Sequence, residues 1–347
     1  MKNTMKFVVS AAVAAVCAVG CGGQSGTQEA PKSVAQNLGP NGEFYGSDTL
    51  KEALIAADVQ SGAGLTVEGR GSGVGEGCLR NGSTGFCTAA QQALAPMSRD
   101  LKAGTCAGGT ASTGACCPGE KSNVIALDAV NAWVNSGNSL TNLSTTDLRR
   151  IFFATDDKGV AITGACPTNW SAVGGTSGTI VKYRRDDLSG TTDTFKSLLK
   201  GGTFCSGVTV VSDGSLPAAC AGLSNATACI GKLTATTANA IGYSGDSART
   251  TGNKALSLNN IAPTAATVRN LITNPSSAYP LARQLFLNEN VNTTRSAEEQ
   301  ALYDWVYSTN TADFENILAQ QGFITCSDIS PLDCGGDGLG RGAGVCQ

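Results

Sequence analysis

The chain has 347 residues, of which 15% are charged, and its formal net charge is −3. This balance provides no basic surface, so nucleic acid is not expected as a partner. The chain contains no histidine, which excludes Ser-His-Asp and Cys-His catalysis and metal sites that depend on histidine.

The first 21 residues have the features of a targeting segment. Lys2 and Lys6 form a short basic start, and the apolar run at 7–19 is too short to span a bilayer, which needs about 20 residues. Ala, Val and Gly stand directly before Cys21, in a pattern that resembles a bacterial lipobox. We therefore predict that residues 1–21 are a lipoprotein signal peptide and that a lipid on Cys21 anchors the protein outside the cytoplasm, in the periplasm or at the cell surface. A signal peptide cleaved elsewhere, which would release a soluble secreted protein, is the alternative.

The cysteines fit an exported protein. Of the 14 cysteines, Cys17 would leave with the signal peptide and Cys21 would carry lipid, so twelve are left to form up to six disulfides. No C-x-x-C pair is present, and no metal site is expected. The spacings suggest Cys78–Cys87 and Cys220–Cys229 and, less strongly, Cys166–Cys205, Cys106 with Cys116 or Cys117, and a set formed by Cys326, Cys334 and Cys346.

Residues 22–41 are rich in Gly, Ser, Gln and Pro and are predicted to be a flexible tether. The fold is expected to begin with a strand at 43–45. A helix should start at Thr49, because Thr49 and Glu52 have the spacing of a capping box. The tail at 326–347 is rich in Cys and Gly and is expected to be irregular.

Between the first helix and the tail, strand patterns alternate with helix patterns. This alternation indicates an α/β protein. The predicted strands lie at 65–68, 94–97, 123–135, 180–183, 240–243 and 279–287, and the predicted helices at 144–153, 194–200, 296–307 and 312–321.

A possible anion site follows the strand at 180–183. Arg185 carries a planar guanidinium that matches two oxygens of a tetrahedral anion, and Asp187 is expected to hold it from behind. Ser189, Gly190 and Thr191 precede a helix, whose first turn attracts anions through its N–H groups. An ordinary helix N-cap is the alternative interpretation of these three residues.

Similar loops occur at three other strand-to-helix junctions. Together the loops at 46–49, 71–75, 98–100 and 185–191 contain many glycine, serine and threonine residues. In open α/β sheets such junctions gather at the carboxyl ends of the strands, where ligands bind. We therefore expect the four loops to form one site.

These loops resemble those of the phosphate-binding substrate-binding proteins of bacterial ABC transporters, which have the type II periplasmic binding protein fold. The resemblance extends over most of residues 42–325. It rests on Gly46-Ser47-Asp48-Thr49-Leu50, Gly71-Ser72-Gly73, Met97-Ser98-Arg99 and Arg185-x-Asp187-x-Ser189-Gly190-Thr191.

The resemblance implies a two-lobe α/β fold with the ligand in the cleft between the lobes. The first lobe would comprise residues 42–126 and 244–325, and the second lobe residues 127–243. The chain would cross twice, near 123–128 and 242–247, and the lobes would close over the anion like a hinge.

The resemblance also implies a set of ligand-binding residues, drawn from all four loops. These are Ser47, Asp48, Thr49, Ser72, Gly73, Ser98, Arg99, Arg185, Asp187, Ser189, Gly190 and Thr191.

The third loop departs from the family pattern. The best-known members have an aspartate directly after the serine, whereas Arg99 follows Ser98 here and Asp100 comes one residue later. A buried carboxylate accepts the proton of phosphate and repels an anion without one, so it favours phosphate over sulfate. Asp48 is a candidate for this role, with a helix cap as the alternative, and Arg99 is either a second anion contact or a surface partner of Asp100.

The predicted function is that of a lipid-anchored monomer that captures inorganic phosphate, or a similar oxyanion, and delivers it to an ABC transporter permease. No catalysis, cofactor or metal is expected. The alternatives are the same fold with another oxyanion or a signalling ligand, a hydrolase, or a surface adhesion protein. Ser197-x-x-Lys200 matches a nucleophile pattern of penicillin-recognising enzymes, and we interpret this match as chance.

Overall fold

The computed structural model describes residues 42–80, 82, 85–87, 92–187, 189–213, 215–309, 311–328, 334 and 340–346. The predicted signal peptide, Cys21 and the tether lie outside the described residues, as does much of the tail.

The strands are short except for one near the C-terminal end. In chain order they are β1 (Glu43–Tyr45), β2 (Thr66–Glu68), β3 (Leu94–Met97), β4 (Glu120–Lys121), β5 (Val124–Ala129), β6 (Asn131–Asn135), β7 (Asn142–Leu143), β8 (Val181–Arg185), β9 (Val208–Val211), β10 (Ala240–Ser244), β11 (Asn253–Ala255), β12 (Ser257–Leu258), β13 (Ala282–Asn290) and β14 (Ile324–Thr325).

The helices lie between these strands. They are α1 (Lys51–Ser61), α2 (Ser72–Arg80), α3 (Thr145–Phe152), α4 (Gly190–Leu199), α5 (Ala226–Thr236), α6 (Ala265–Thr273), α7 (Ala297–Asp304) and α8 (Thr311–Gln320).

In the part of the chain that the structure describes, the strands form two larger sheets and two smaller pairs. The first sheet has the order β14-β5-β13-β3, with β4 also paired to β13, and its pairs are antiparallel. The second sheet has the order β11-β6-β10-β8-β9 and is parallel only where β8 pairs with β10 and β9. The predicted two-lobe α/β class is thereby confirmed, and we refer to the parts built on these sheets as the first and second lobes.

The chain passes from one sheet to the other at Val130. One strand is predicted over 123–135, whereas β5 ends at Ala129 in the first sheet and β6 begins at Asn131 in the second. The N–H of Val130 donates to the carbonyl of Leu281 at 2.9 Å and so continues the pairing of Ala129 with Ala282 by one residue before the chain enters the second sheet. The lobe boundaries themselves stay a prediction.

Aromatic packing fixes α4 against the second sheet. The rings of Phe195 on α4 and Tyr243 on β10 are stacked 3.8 Å apart, and Phe152 of α3 meets both edge-on. All three side chains are buried, and buried aromatic surface is a main source of stability. The start of α4 is therefore held in a fixed place.

Two helix starts differ from the predictions. Helix α1 begins at Lys51, and Leu50 is at its N-cap position without a side-chain cap, so Thr49 is not the predicted cap. Its hydroxyl contacts Thr191 instead. The expected glycine-rich loop at 71–75 also becomes helical from Ser72 onward.

The described residues contain six disulfides. The predicted Cys78–Cys87, Cys220–Cys229 and Cys166–Cys205 pairs are confirmed. Cys106 pairs with Cys117, the second of its two predicted partners. The C-terminal set is divided: Cys326 pairs with Cys334, while Cys346 reaches back 230 residues to Cys116.

Removal of the long-range disulfide should be the more costly of two matched changes. Replacing Cys116 and Cys346 by alanine should lower the free energy of unfolding by about 5 kcal/mol, against about 3 kcal/mol for Cys78 and Cys87, because the longer loop constrains the unfolded chain more. Equilibrium urea unfolding of the two variants would measure this order. An equal or larger loss without Cys78–Cys87 would contradict it.

Candidate functional site

The first turn of α4 lies directly against the first lobe. Ser189 caps the helix, and its Oγ accepts a hydrogen bond from the Thr191 N–H at 3.2 Å. A Cβ atom added to Gly190 would lie 2.2 Å from the Oγ atoms of both Ser72 and Ser98. Only glycine fits at this position.

The second and third loops meet where α4 approaches. Ser72 and Ser98 are fully buried, and Ser72 Oγ accepts from the Ser98 N–H at 2.9 Å. Their hydroxyl oxygens are 3.3 Å apart. Thr194 on α4 donates its hydroxyl to the Ser98 carbonyl at 3.0 Å. The predicted convergence of these loops with the start of α4 is the arrangement found.

The first loop reaches the same helix turn. Thr49 Oγ1 is 3.0 Å from Thr191 Oγ1, and the Ser47 hydroxyl accepts from the Thr49 N–H at 3.2 Å. Arg283 on β13 donates to both threonine hydroxyls, at 3.2 and 3.3 Å. Arg283 was not among the predicted ligand-binding residues, although it lies within the predicted strand at 279–287.

Arg185 is completely buried and its guanidinium has protein partners. Its Nη1 donates to Thr227 Oγ1 at 2.9 Å, and its Nη2 donates to Asp213 at 3.0 Å and to Asp48 at 3.2 Å. Its Nε has no partner among the residues that the structure describes. Asp48 belongs to the first lobe, so its ion pair with Arg185 connects the two lobes.

Asp187 does not support Arg185 as predicted. It accepts from both terminal nitrogens of Arg184, at 2.8 and 3.0 Å, and its side chain is 67% exposed. These bonds lower the pKa of Asp187. Neighbouring residues of a strand point to opposite faces of the sheet. The carboxylate that pairs with Arg184 therefore does not also pair with Arg185. The guanidinium of Arg184 lies over the ring of Phe204, 4.2 Å from its centroid.

Arg99 likewise lies outside the expected arrangement. Its guanidinium donates to Glu76 of α2 at 2.6 Å and to Asp193 of α4 at 2.8 Å. With Asp100 it shares only a bond to the backbone carbonyl. Lys102 also contacts Asp193, at 3.0 Å. The guanidinium of Arg99, which was predicted to contact the anion, is therefore bound by two carboxylates. Because these belong to α2 and α4, Arg99 forms an ionic bridge between the lobes.

Asp48 has the electrostatic character of a functional carboxylate. Its side chain is 6% exposed, and its Oδ1 accepts from the Arg70 N–H at 2.8 Å. Burial raises the pKa of Asp48 to about 6, while Arg185 opposes the rise and Asp213 adds to it. It does not cap α1 with its side chain, which was the alternative interpretation.

A cavity of about 320 Å³ adjoins Asp48 and the partners of Arg185. Its lining includes Asp186, Asp213, Arg70 and Phe86. No group of three His, Cys, Asp or Glu side chains suited to a metal ion occurs within the described ranges. None of the described helices is long and apolar enough to cross a bilayer.

A protein-family model described as a PBP superfamily domain matches residues 46–327. An ABC-type phosphate transport receptor from Vibrio cholerae is 18% identical, with 81% of this chain and 98% of that chain covered and a TM-score of 0.56. A phosphate-binding protein from Stenotrophomonas maltophilia is 16% identical, with 83% and 91% covered and a TM-score of 0.54. Both likenesses show a shared fold. No curated protein matches the chain.

The fit of Gly190 against the first lobe can be tested with a matched glycine. Gly190→Ala should lower the free energy of unfolding by about 1–3 kcal/mol, because its Cβ would overlap two buried hydroxyls. Gly73→Ala is the control, since the nearest atom to its Cβ would be 3.9 Å away. Thermal unfolding would compare the two, and equal stability of both variants would contradict the tight fit.

The raised pKa of Asp48 makes stability depend on pH. Below about pH 4 the carboxyl is protonated in both the folded and the unfolded state. Between about pH 4 and pH 6 the unfolded chain releases this proton while the folded protein still holds it, so stability falls; above about 6 both states are ionised and the loss is complete. Relative to Asp48→Asn, the wild type should lose about 3 kcal/mol between pH 4 and pH 7. Urea unfolding of both proteins at several pH values would measure the difference, and a difference independent of pH would contradict the prediction.

Proposed function

The chain belongs to the PBP superfamily, and from that premise we propose that it captures inorganic phosphate between its lobes and delivers it to an ABC transporter permease. The observation that carries this proposal is that buried hydroxyls from both lobes, together with the half-buried hydroxyl of Thr49, meet at the first turn of α4. The proposed ligand-binding groups are the hydroxyls of Ser72, Ser98, Thr49 and Thr191 and the start of the helix at Gly190.

Such a set of groups suits a tetrahedral oxyanion. Hydroxyls and first-turn N–H groups donate hydrogen bonds, and the helix adds a partial positive charge. Micromolar capture corresponds to about −8 kcal/mol, which several charge-assisted hydrogen bonds can provide in a site closed to water. Ser47 and Ser189 support these donors by accepting from the N–H groups of Thr49 and Thr191.

Capture would couple to closure of the lobes through two ion pairs. Asp48 of the first lobe meets Arg185 of the second at 3.2 Å, and Arg99 meets Asp193 at 2.8 Å. Because each pair has one partner in each lobe, separation of the lobes breaks both. A bound anion would add contacts to both lobes and favour the closed form.

Asp48 supports phosphate rather than sulfate as the ligand. A carboxylate with a pKa of about 6 accepts a hydrogen bond from a protonated phosphate oxygen at neutral pH, whereas sulfate has no proton to donate. In this proposal Asp48 takes the part that the third-loop aspartate has in the best-known phosphate binders.

The proposal includes the location of the protein. A lipid on Cys21 would hold the monomer at the outer side of a membrane, and residues 22–41 would give it reach toward a permease. The disulfides of the described residues suit an oxidising compartment.

A second candidate is the same fold with another oxyanion. The observation that favours it is that the guanidinium of Arg185 already has carboxylate partners, because its Nη2 donates to both Asp48 and Asp213. Two carboxylates at one guanidinium weaken its attraction for a dianion. A titration series with several oxyanions separates the two candidates.

The proposed function predicts tight binding of phosphate and little response to sulfate. In isothermal titration of the purified protein, freed of bound anion, Arg185→Ala should lose phosphate binding, because it leaves Asp48 and Asp213 without their cation. Arg184→Ala is the matched control and should bind as the wild type does, since Arg184 faces Phe204 and Asp187.

Two results would count against this proposal. Equal affinity for sulfate would remove the role of Asp48 as a proton acceptor. A folded wild type that binds neither anion would rule out phosphate capture.

A further inference from the structure

Arg283 contacts one hydroxyl from each lobe. Its Nη2 donates to Thr49 Oγ1 and its Nη1 to Thr191 Oγ1, and these oxygens are 3.0 Å apart. The three side chains form a closed triangle of hydrogen bonds, which we call the Arg283 triangle. Arg283 itself is 4% exposed.

Asp128 fixes the direction of this guanidinium. The two residues face each other across β5 and β13, and Asp128 Oδ2 accepts from Arg283 Nη2 at 2.6 Å and from Nε at 3.0 Å. The Asp128 side chain is 1% exposed. The negative charge of Asp128 compensates the positive charge of Arg283. The effect of Arg283 on the two threonines therefore comes from the direction in which its N–H groups point.

The hydrogens of the Arg283 triangle can be counted. A guanidinium only donates, so both threonine oxygens accept from it. The bond between the two hydroxyls uses one of their two hydrogens. No described protein atom accepts the second hydrogen, because the contacts of both oxygens are those within the triangle. One hydroxyl hydrogen is therefore available to a ligand.

We propose that Arg283 is a positioning residue that fixes the Thr49–Thr191 pair as a hydrogen-bond donor toward the bound anion. This inference rests on the proposed function. The pair offers the ligand one hydroxyl hydrogen, and a charged, unprotonated phosphate oxygen is the strongest acceptor for it. Arg283 thereby favours the orientation in which an unprotonated face of the phosphate ion is turned toward α4.

A double-mutant cycle with inorganic phosphate tests this inference. Arg283→Lys keeps the charge beside Asp128 but loses the planar fork that reaches both hydroxyls. Thr191→Val removes one hydroxyl at nearly constant volume. Each change should weaken phosphate binding about tenfold. Together they should also weaken it about tenfold rather than a hundredfold, because both act through the same hydroxyl pair.

The control for a merely structural effect is Arg80→Lys. Arg80 is also 4% exposed and pairs with a buried carboxylate, Glu120, at 2.6 Å. This variant should lose stability but keep the phosphate affinity of its folded form. If Arg283→Lys fails to fold, Arg283→Gln combined with Asp128→Asn removes both buried charges and takes its place in the cycle.

The outcomes are distinguishable. Non-additive losses confined to Arg283 and Thr191 support the inference. Independent losses that multiply to about a hundredfold, or an unchanged affinity in the folded Arg283 variant, overturn it while phosphate capture stands. A wild type that binds no phosphate overturns the proposed function and this inference with it.

Discussion

The close approach of α4 to the first lobe is the constraint on which the rest of the site depends. Gly190 leaves no room for a side chain beside Ser72 and Ser98, so the helix start and two loops must keep a fixed spacing. The stack of Phe195 on Tyr243 holds α4 from the other side. Because interiors are densely packed and resist small shifts, packing sets the position of the helix start, and hydrogen bonds then orient the individual donors around it.

Two buried arginines divide the electrostatic work of the site. Arg185 pairs across the cleft with Asp48, whereas Arg283 pairs with Asp128 inside one lobe. A buried ion pair contributes little net stability, but loss of one partner is costly. A pair within one lobe therefore keeps its geometry when the lobes separate, and a pair between lobes responds to the separation. The guanidinium of Arg283 is therefore suited to orienting the hydroxyls of the site, and that of Arg185 to stabilising the closed arrangement of the lobes.

Local patterns in the sequence predicted much of the fold and of the loops, and long-range pairing explains most of the predictions that were wrong. The serine N-caps and apolar periods of α3 and α7 are local, and Ser144 and Ser296, the predicted first residues, cap helices that begin one residue later. Thr49 has a capping pattern too, but a hydroxyl 142 residues away competes for it. Arg99 was assigned by motif, but the carboxylate of Asp193, 94 residues away, accepts from its guanidinium. Asp187 was also assigned by motif, but Arg184, three residues before it, pairs with it. Arg283 was not predicted because its contacts depend on the start of β13 lying beside the starts of α1 and α4, which no local pattern in the sequence indicates.

The disulfide between Cys116 and Cys346 gives the protein a covalent topology that its strand order does not reveal. The bond closes a ring that contains every strand of the second sheet, from β6 to β11. A protease that cuts the backbone once anywhere between these two cysteines leaves both fragments in one molecule. At the proposed location outside the cytoplasm, a single cut within this ring would therefore not release a lobe from the protein.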